Sequence, residues 1–387
     1  MDRTIYLDNA ATTQIEPEVI DAMQPYLNSS YGNPSAIYTL GLQNKFAIER
    51  AREQVAALIH AKPEEIFFTS GGTEADNWAL IGVYDLNANK GKNHIITTKI
   101  EHHAILKTCE YLEKYRGAKV SYIGVDEKGR VNPADVEAAI TPETCLISVM
   151  IANNEIGTTQ PVRMIARIAK SHGILFHSDA VQAVGHMDFD VNELGMDMLS
   201  ASAHKFGGPK GVGFLYIKEG TPLLPFIHGG GQQEGMRSGT ENVAGIVGLG
   251  KAAEIAATEM FNRNAYISEL RNSLRDRILE EIPGALENGH PVARLCNNLN
   301  ITIPGLRSEA LLVMLDSLAG ICVSAGSACA SSDDEPSHVL TAIGLSAEDA
   351  ESSLRFTLSH RNTPDEIDEV VDTLKVMVER ELNEKIY

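Results

Sequence analysis

Several residues stand where their chemistry can be used. Lys205 lies in Ser200-Ala201-Ser202-Ala203-His204-Lys205-Phe206-Gly207-Gly208-Pro209-Lys210-Gly211, directly after an apolar run that reads as a buried strand. A lysine desolvated at that point has a lowered pKa, and its free amine can form a Schiff base with a carbonyl compound. Ser202 and His204 are placed to reach a phosphate. The plainer reading is a surface lysine in a glycine-rich loop, the commonest fate of lysine. Asp179, in His177-Ser178-Asp179-Ala180-Val181-Gln182, ends another buried run. A carboxylate there needs a partner, and a protonated ring nitrogen is one; capping the next helix is the other.

Phe67-Phe68-Thr69-Ser70-Gly71-Gly72-Thr73-Glu74 is a strand running through small residues into a helix. The backbone N–H groups of Gly72 and Thr73, with the Thr73 hydroxyl, would cradle a phosphate; an ordinary turn capped by Thr73 uses the same residues. In Glu101-His102-His103-Ala104, His103 can stack on a planar ring or move protons near neutral pH, against the commoner structural role of a lone histidine. Cys329 lies in Val323-Ser324-Ala325-Gly326-Ser327-Ala328-Cys329-Ala330-Ser331-Ser332-Asp333-Asp334, which has neither helical nor strand period and reads as a loop carrying a reactive thiol. Cys109, Cys145, Cys296 and Cys322 stand in apolar or helical contexts that suit buried structural thiols. His228-Gly229-Gly230-Gly231 resembles a lipase oxyanion loop, but no GxSxG elbow accompanies it, and no GxxxxGK[ST] phosphate loop is present.

The elements that must carry these residues alternate. Ile66–Thr69, His94–Ile100, Val120–Val125, Cys145–Ile151, Ile174–His177, Met198–Ala201 and Val212–Ile217 read as short buried strands, with amphipathic stretches such as Leu40–Ile59 and Val162–Ser171 between them. That alternation predicts an α/β domain with a mainly parallel sheet. After Gly250 a helical stretch over about 251–281, a mixed region and a helix over Pro364–Asn383 suggest a smaller α+β domain. The boundaries expected are 16–255 for the large domain, and 1–15 with 256–387 for the small one.

The 387 residues suffice for two domains. With 33 basic and 52 acidic residues the formal charge is −19, which argues against nucleic acid as a direct partner. No apolar run is long enough for a membrane span and no signal peptide precedes the first strand. Five cysteines at irregular spacing, without a CxxC or a Cys/His cluster, fit free thiols in a reducing cytoplasm and no structural zinc.

Taken in order, these motifs resemble the fold-type-I pyridoxal-phosphate enzymes of aminotransferase class V, and within them the cysteine desulfurases of the NifS/IscS type. The resemblance runs from Tyr6-Leu7-Asp8-Asn9-Ala10-Ala11-Thr12-Thr13 to Arg355-Phe356 through Tyr31-Gly32-Asn33-Pro34-Ser35, Asn153-Asn154-Glu155-Ile156-Gly157, Arg237-Ser238-Gly239-Thr240 and Gly326-Ser327-Ala328-Cys329. It implies that Lys205 holds pyridoxal 5'-phosphate covalently and that Gly72, Thr73, Ser202 and His204 bind its phosphate. It further implies that Asp179 faces the ring nitrogen, that Gln182 and Asn154 face the phenolic oxygen, and that His103 stacks on the ring. Asn33 and Arg355, with Asn154, would hold the carboxylate of L-cysteine. Thr240 would reach the neighbouring subunit's cofactor, which implies a homodimer. Cys329 would take the substrate sulfur as a persulfide, leave L-alanine, and pass the sulfur to an acceptor protein such as an iron–sulfur scaffold or a tRNA-thiolation carrier. No resident metal is expected; Cys329 would meet a cluster or metal only during transfer.

The chain departs from the resembling pattern at Ala325 and Ala330, where a hydroxyl residue is usual, and in the acidic run Asp333-Asp334-Glu335. Selenocysteine lyase or another class-V outcome is the alternative activity. A non-catalytic binding module is the alternative of a different kind, and the intact lysine motif argues against it.

Overall fold

The computed structural model describes residues 4–325 and 336–384. Cys329, Ala330, Asp333, Asp334 and Glu335 therefore lie outside the described residues. The strands in chain order are β1 Ile5–Tyr6, β2 Ile66–Thr69, β3 His94–Thr98, β4 Lys119–Ile123, β5 Thr144–Ser148, β6 Leu175–Asp179, β7 Met198–Ser202, β8 Gly213–Ile217, β9 Leu286–Asn288, β10 Asn298–Thr302, β11 Ile321–Cys322, β12 Ser324–Ala325 and β13 Ser353–Thr357.

Among the described residues, β2-β8-β7-β6-β5-β3-β4 form a seven-stranded sheet. Strands β4, β3, β5, β6 and β7 run parallel, and β8 is antiparallel to both β7 and β2. Buried clusters cover both faces of this sheet, which is why its strands read as nearly continuous apolar runs. Helix Val162–Ser171 shows how the covering elements form: Val162, Ile165, Ala166 and Ala169 recur at helical spacing and are the buried positions. The smaller sheet, β12-β13-β10-β9, is antiparallel, and β1 pairs in parallel with β11 beside it. A separate core surrounds it, built from Ile5 and Leu7 and from residues between Ile267 and Val378.

One helix, Val243–Glu281, serves both cores. Its 39 residues extend about 58 Å. Ile246 to Ala256 pack in the core under the large sheet, and Ile267 to Ile278 in the second core. The expected boundary at residue 255 thus falls inside a continuous helix. The first half of that helix packs against helix Thr39–Leu58, and the approach is close enough that a Cβ on Gly250 would lie 2.6 Å from Ala51 Cα.

Three expected strands end two or three residues early. Ile100, Val125 and Ile151 continue the apolar runs of β3, β4 and β5 but carry no ladder pairing. Their apolar character has another cause. Ile100 and Val125 pack with Met150 and Ile156 against Val339, Leu340 and Ile343, and Ile151 belongs to the main core. The backbone thus leaves the sheet early at the carboxyl edge, where loops can bring side chains together.

Candidate active site

Along that carboxyl edge lies a cavity of about 290 Å³. Asp179 is the last residue of β6, Ser202 the last of β7, and Lys205 ends the single turn Ala203–Lys205 that follows. Gly72 and Thr73 line the cavity and open helix Gly72–Asn87, whose first N–H groups have no helical partners. Asn154, Gln182 and His204 complete this wall, and Arg355 enters from β13 of the other sheet. The tertiary structure thus gathers Gly72, Thr73, Asn154, Asp179, Gln182, Ser202, His204, Lys205 and Arg355 around one space.

The floor is acidic and buried. Asp179 accepts a hydrogen bond from Val181 N at 2.9 Å, yet burial pushes its carboxyl up to about 6. Asp76, one helical turn beyond Thr73, lines the same cavity with about 1% exposure. Its Oδ1 has no hydrogen-bond partner among the described residues, and burial and the nearby Asp179 raise its pKa well above the carboxylate range. Behind it, His177 pairs with Ser148 Oγ through Nδ1 and with Ser200 Oγ through Nε2, both at 2.9 Å. Glu101, also fully buried, accepts from Thr98 Oγ1 and Met150 N, and burial lifts it to about 8. Buried carboxyls this close cannot all ionise without a cation.

The amine of Lys205 donates to the carbonyl oxygens of Ala10 at 2.6 Å and Ala11 at 2.9 Å. Gln182 Nε2 also donates to Ala10 O, at 3.1 Å. His204 pairs with Thr12 Oγ1 at 3.1 Å, and its carbonyl accepts from Thr13 N at 2.8 Å. The N-terminal segment is therefore a strap laid across the lysine turn. Its other edge bonds to β13: Asn9 N and Nδ2 and Ala10 N all donate to Thr357. Arg355, on that strand, donates through Nη2 to Asp8 Oδ1 at 2.7 Å and through Nη1 to Asn154 O at 3.2 Å.

Four expectations need correction or qualification. His103 is exposed as the first residue of helix His103–Arg116, with its ring 4.8 Å from that of His338. The residue that lines the cavity is His102. It is the helix cap, with Nδ1 accepting from Ala104 N at 3.1 Å, and a capping side chain turns back over the helix start where the next residue points away. Burial and the nearby Lys205 push its pKa down to about 4, so the ring is neutral; with Nδ1 accepting, Nε2 carries the hydrogen. Asn33 is exposed, its Oδ1 accepting from Ser35 N, and does not line the cavity. Thr240 is exposed and lines a different pocket, beside Arg237 and Gly239. Cys329 lies outside the described residues. Asp8, Asp76, Glu101 and His102 went unnoticed as candidates in the sequence; for Asp76 the available signal was its spacing of three from Thr73, which puts both on one helix face.

The side chains present fit pyridoxal phosphate. Asp179, buried and with its pKa raised, would be met by a protonated pyridine nitrogen, and Asp76, whose Oδ1 lies 3.7 Å from His177 Nε2 and takes no hydrogen bond among the described residues, stands close to it. The start of helix Gly72–Asn87, with Thr73, Ser202 and His204, suits a phosphate. Val181 Cγ2 would lie 2.5 Å from a Cβ on Gly72, so the cradle has space only for glycine. Lys205 carries the amine that an aldehyde requires.

This sheet order, with a lysine one turn past a strand end and facing a buried aspartate, defines a fold-type-I pyridoxal-phosphate enzyme. The chain belongs to the aminotransferase class-V family, whose family model matches residues 5–370. It is 50% identical over 382 residues to "Cysteine desulfurase IscS" of Clostridium botulinum, across 98% of this chain and 96% of that protein. A solved "NIFS-LIKE PROTEIN" superposes with a TM-score of 0.91 at 39% identity, covering 97% of this chain and 100% of that one. The structure described as "SspA in complex with cysteine" superposes with a TM-score of 0.82 at 37% identity, covering 93% and 100%.

Proposed function

We propose that the protein is a cysteine desulfurase: it converts L-cysteine to L-alanine and keeps the sulfur as a persulfide on Cys329. The observation that carries the reading is 50% identity over 98% of the chain to a protein named for this reaction, in a chain that sets Lys205, Asp179 and Arg355 around one cavity. Pyridoxal phosphate, when bound, supplies an electron sink that makes the substrate Cα–H acidic.

The chain's own residues do the rest. Asp179 would hold positive charge at the ring nitrogen, and Gly72, Thr73, Ser202 and His204 would hold the phosphate. Arg355 docks the substrate carboxylate through a charge-assisted contact. The Lys205 amine would hold the cofactor and, when free of it, would take and return the proton at Cα. The hydrogen on His102 Nε2 is positioned to pass to or from a thiol in the cavity. The Cys329 thiolate attacks the substrate sulfur. An S–S bond forms, the Cβ–S bond breaks, and its electron pair returns to the carbon, which is protonated to give alanine. The sulfur then passes to an acceptor protein such as an iron–sulfur scaffold or a tRNA-thiolation carrier.

The same reading makes the protein a homodimer in which Thr240 serves the neighbouring subunit's phosphate. Its exposure away from its own cavity supports this, as does the apolar surface at Tyr31, Ile37, Tyr38 and Phe46, all more than half exposed. The division into 16–255 against 1–15 with 256–387 is supported by Ile5 and Leu7 packing in the second core. A cytoplasmic location is supported by four free thiols, at Cys109, Cys145, Cys296 and Cys322. No helix among the described residues is long and apolar enough to cross a membrane.

The test is Cys329→Ser. Alanine and sulfide production from cysteine collapses while the visible absorbance of the bound cofactor stays. Undiminished turnover would remove Cys329 from the mechanism.

A further inference from the structure

Arg355 reaches the cavity with 2% of its side chain exposed, and it does not arrive as an isolated cation. Asp8 Oδ1 already takes Nη2 at 2.7 Å. Asp8 is itself fixed. Its backbone bridges to Thr357 of β13, and its carbonyl accepts from the Tyr6 hydroxyl at 2.9 Å. Two residues further on, Ala10 is held by both Thr357 and Lys205. The carboxylate therefore has no easy route away from the guanidinium.

A carboxylate at that distance, with both groups largely out of water, cancels most of the guanidinium's field. A substrate carboxylate docking on Arg355 meets a nearly neutral pair. That is enough for one carboxylate whose own ammonium group lies beside it. It leaves nothing for a second acid group on the same ligand. Among the described residues, the side-chain cations lining the cavity are Arg355 and Lys205. His102 and His204 are held neutral, each pushed down to about 4 chiefly by burial. Asp76 and Asp179 line the floor and supply no cation.

We propose that Asp8 is a specificity-determining residue, which tempers Arg355 so that the site accepts amino acids with uncharged side chains and turns away those bearing a second acid group. The proposal rests on the reading of this cavity as an amino-acid site of a pyridoxal-phosphate enzyme. It works by withholding attraction from the wrong ligand rather than by adding a contact to the right one.

The experiment titrates the cofactor-loaded protein with L-alanine and with L-aspartate, which differ by one carboxylate. Binding is read from the cofactor's visible absorbance and, in parallel, by calorimetry. The wild-type protein binds alanine about tenfold or more tightly than aspartate. Asp8→Asn narrows that gap by about tenfold, mainly by strengthening aspartate, and Asp8→Glu preserves it. A wild-type ratio near one overturns the proposal outright. So does an Asn variant that leaves the ratio unchanged or weakens both ligands equally, which would make Asp8 a buttress for Arg355 only. Should Asp8→Asn fail to fold or to take up cofactor, Asp8→Ser is measured the same way, beside the wild-type ratio. If alanine perturbs neither signal in the wild-type protein, the amino-acid reading of the cavity fails instead.

Discussion

The amine of Lys205 is held by the carbonyl oxygen of Ala10 at 2.6 Å, a contact between residues 195 positions apart. The same short segment bonds along its other edge to Thr357. The strap therefore sets where the lysine of the large sheet stands relative to Arg355 of the small one.

Replacing the lysine tests the centre of this arrangement. Lys205→Ala should lower alanine formation from cysteine by at least about 10³-fold. The cofactor should be lost on gel filtration, because its covalent tether is gone. Circular dichroism should stay native, since the apolar cores are untouched.

The two adjacent histidines should behave differently. His102→Ala removes a neutral ring from the cavity wall and should cost about 10²-fold or more in kcat. His103→Ala alters an exposed residue and should change kcat by no more than a few-fold. Steady-state rates of alanine production decide between them, and a larger loss in His103→Ala than in His102→Ala would return the role to His103.

Gly72→Ala should weaken cofactor retention. The added methyl would stand 2.5 Å from Val181 Cγ2, so either the helix start or Val181 must shift. Displacing the helix start moves the N–H groups that face the phosphate. Equilibrium dialysis of the apoprotein against pyridoxal phosphate should show an affinity at least about tenfold lower.

The stability of the cofactor-free protein should fall between pH 6.5 and 8. Burial raises Glu155 to about 7 and Glu101 to about 8. The folded state therefore binds protons that the unfolded state has already lost, and stability drops as pH rises through these values, by up to about 1.4 kcal/mol per pH unit for each group. Burial lowers His102, His186 and His204 to about 4 and His177 to about 3, which acts the opposite way, but only below pH 6.5. Denaturant melts at several pH values should show the decline, and Glu101→Gln should flatten it. A rising profile over this window would contradict the buried-acid account.

Much of this was legible in the sequence, for reasons particular to each part. Strands β2, β7 and β8 and helix Val162–Ser171 were readable because their apolar periods are local. Lys205, Asp179 and Thr73 were readable because each follows a buried run directly, and a strand end fixes where the next residue stands. Other features had no such local signature. The choice of His102 over His103 turns on one residue of helix phase, which the pair itself does not reveal. Asp76 reads as an ordinary helical aspartate until β6 and β7 pack beneath it.

The sequence by itself determined the parts: an alternating α/β domain, a lysine and an aspartate at strand ends, and a phosphate-suited helix start. Their type and spacing follow from short-range periodicity and from turns only a few residues long. The tertiary structure decided what those parts face. It set Asp8 against Arg355 across 347 positions of chain and brought Ala10 onto Lys205. Such contacts depend on how two separately packed cores meet along one long helix, and no local pattern of residues encodes that meeting.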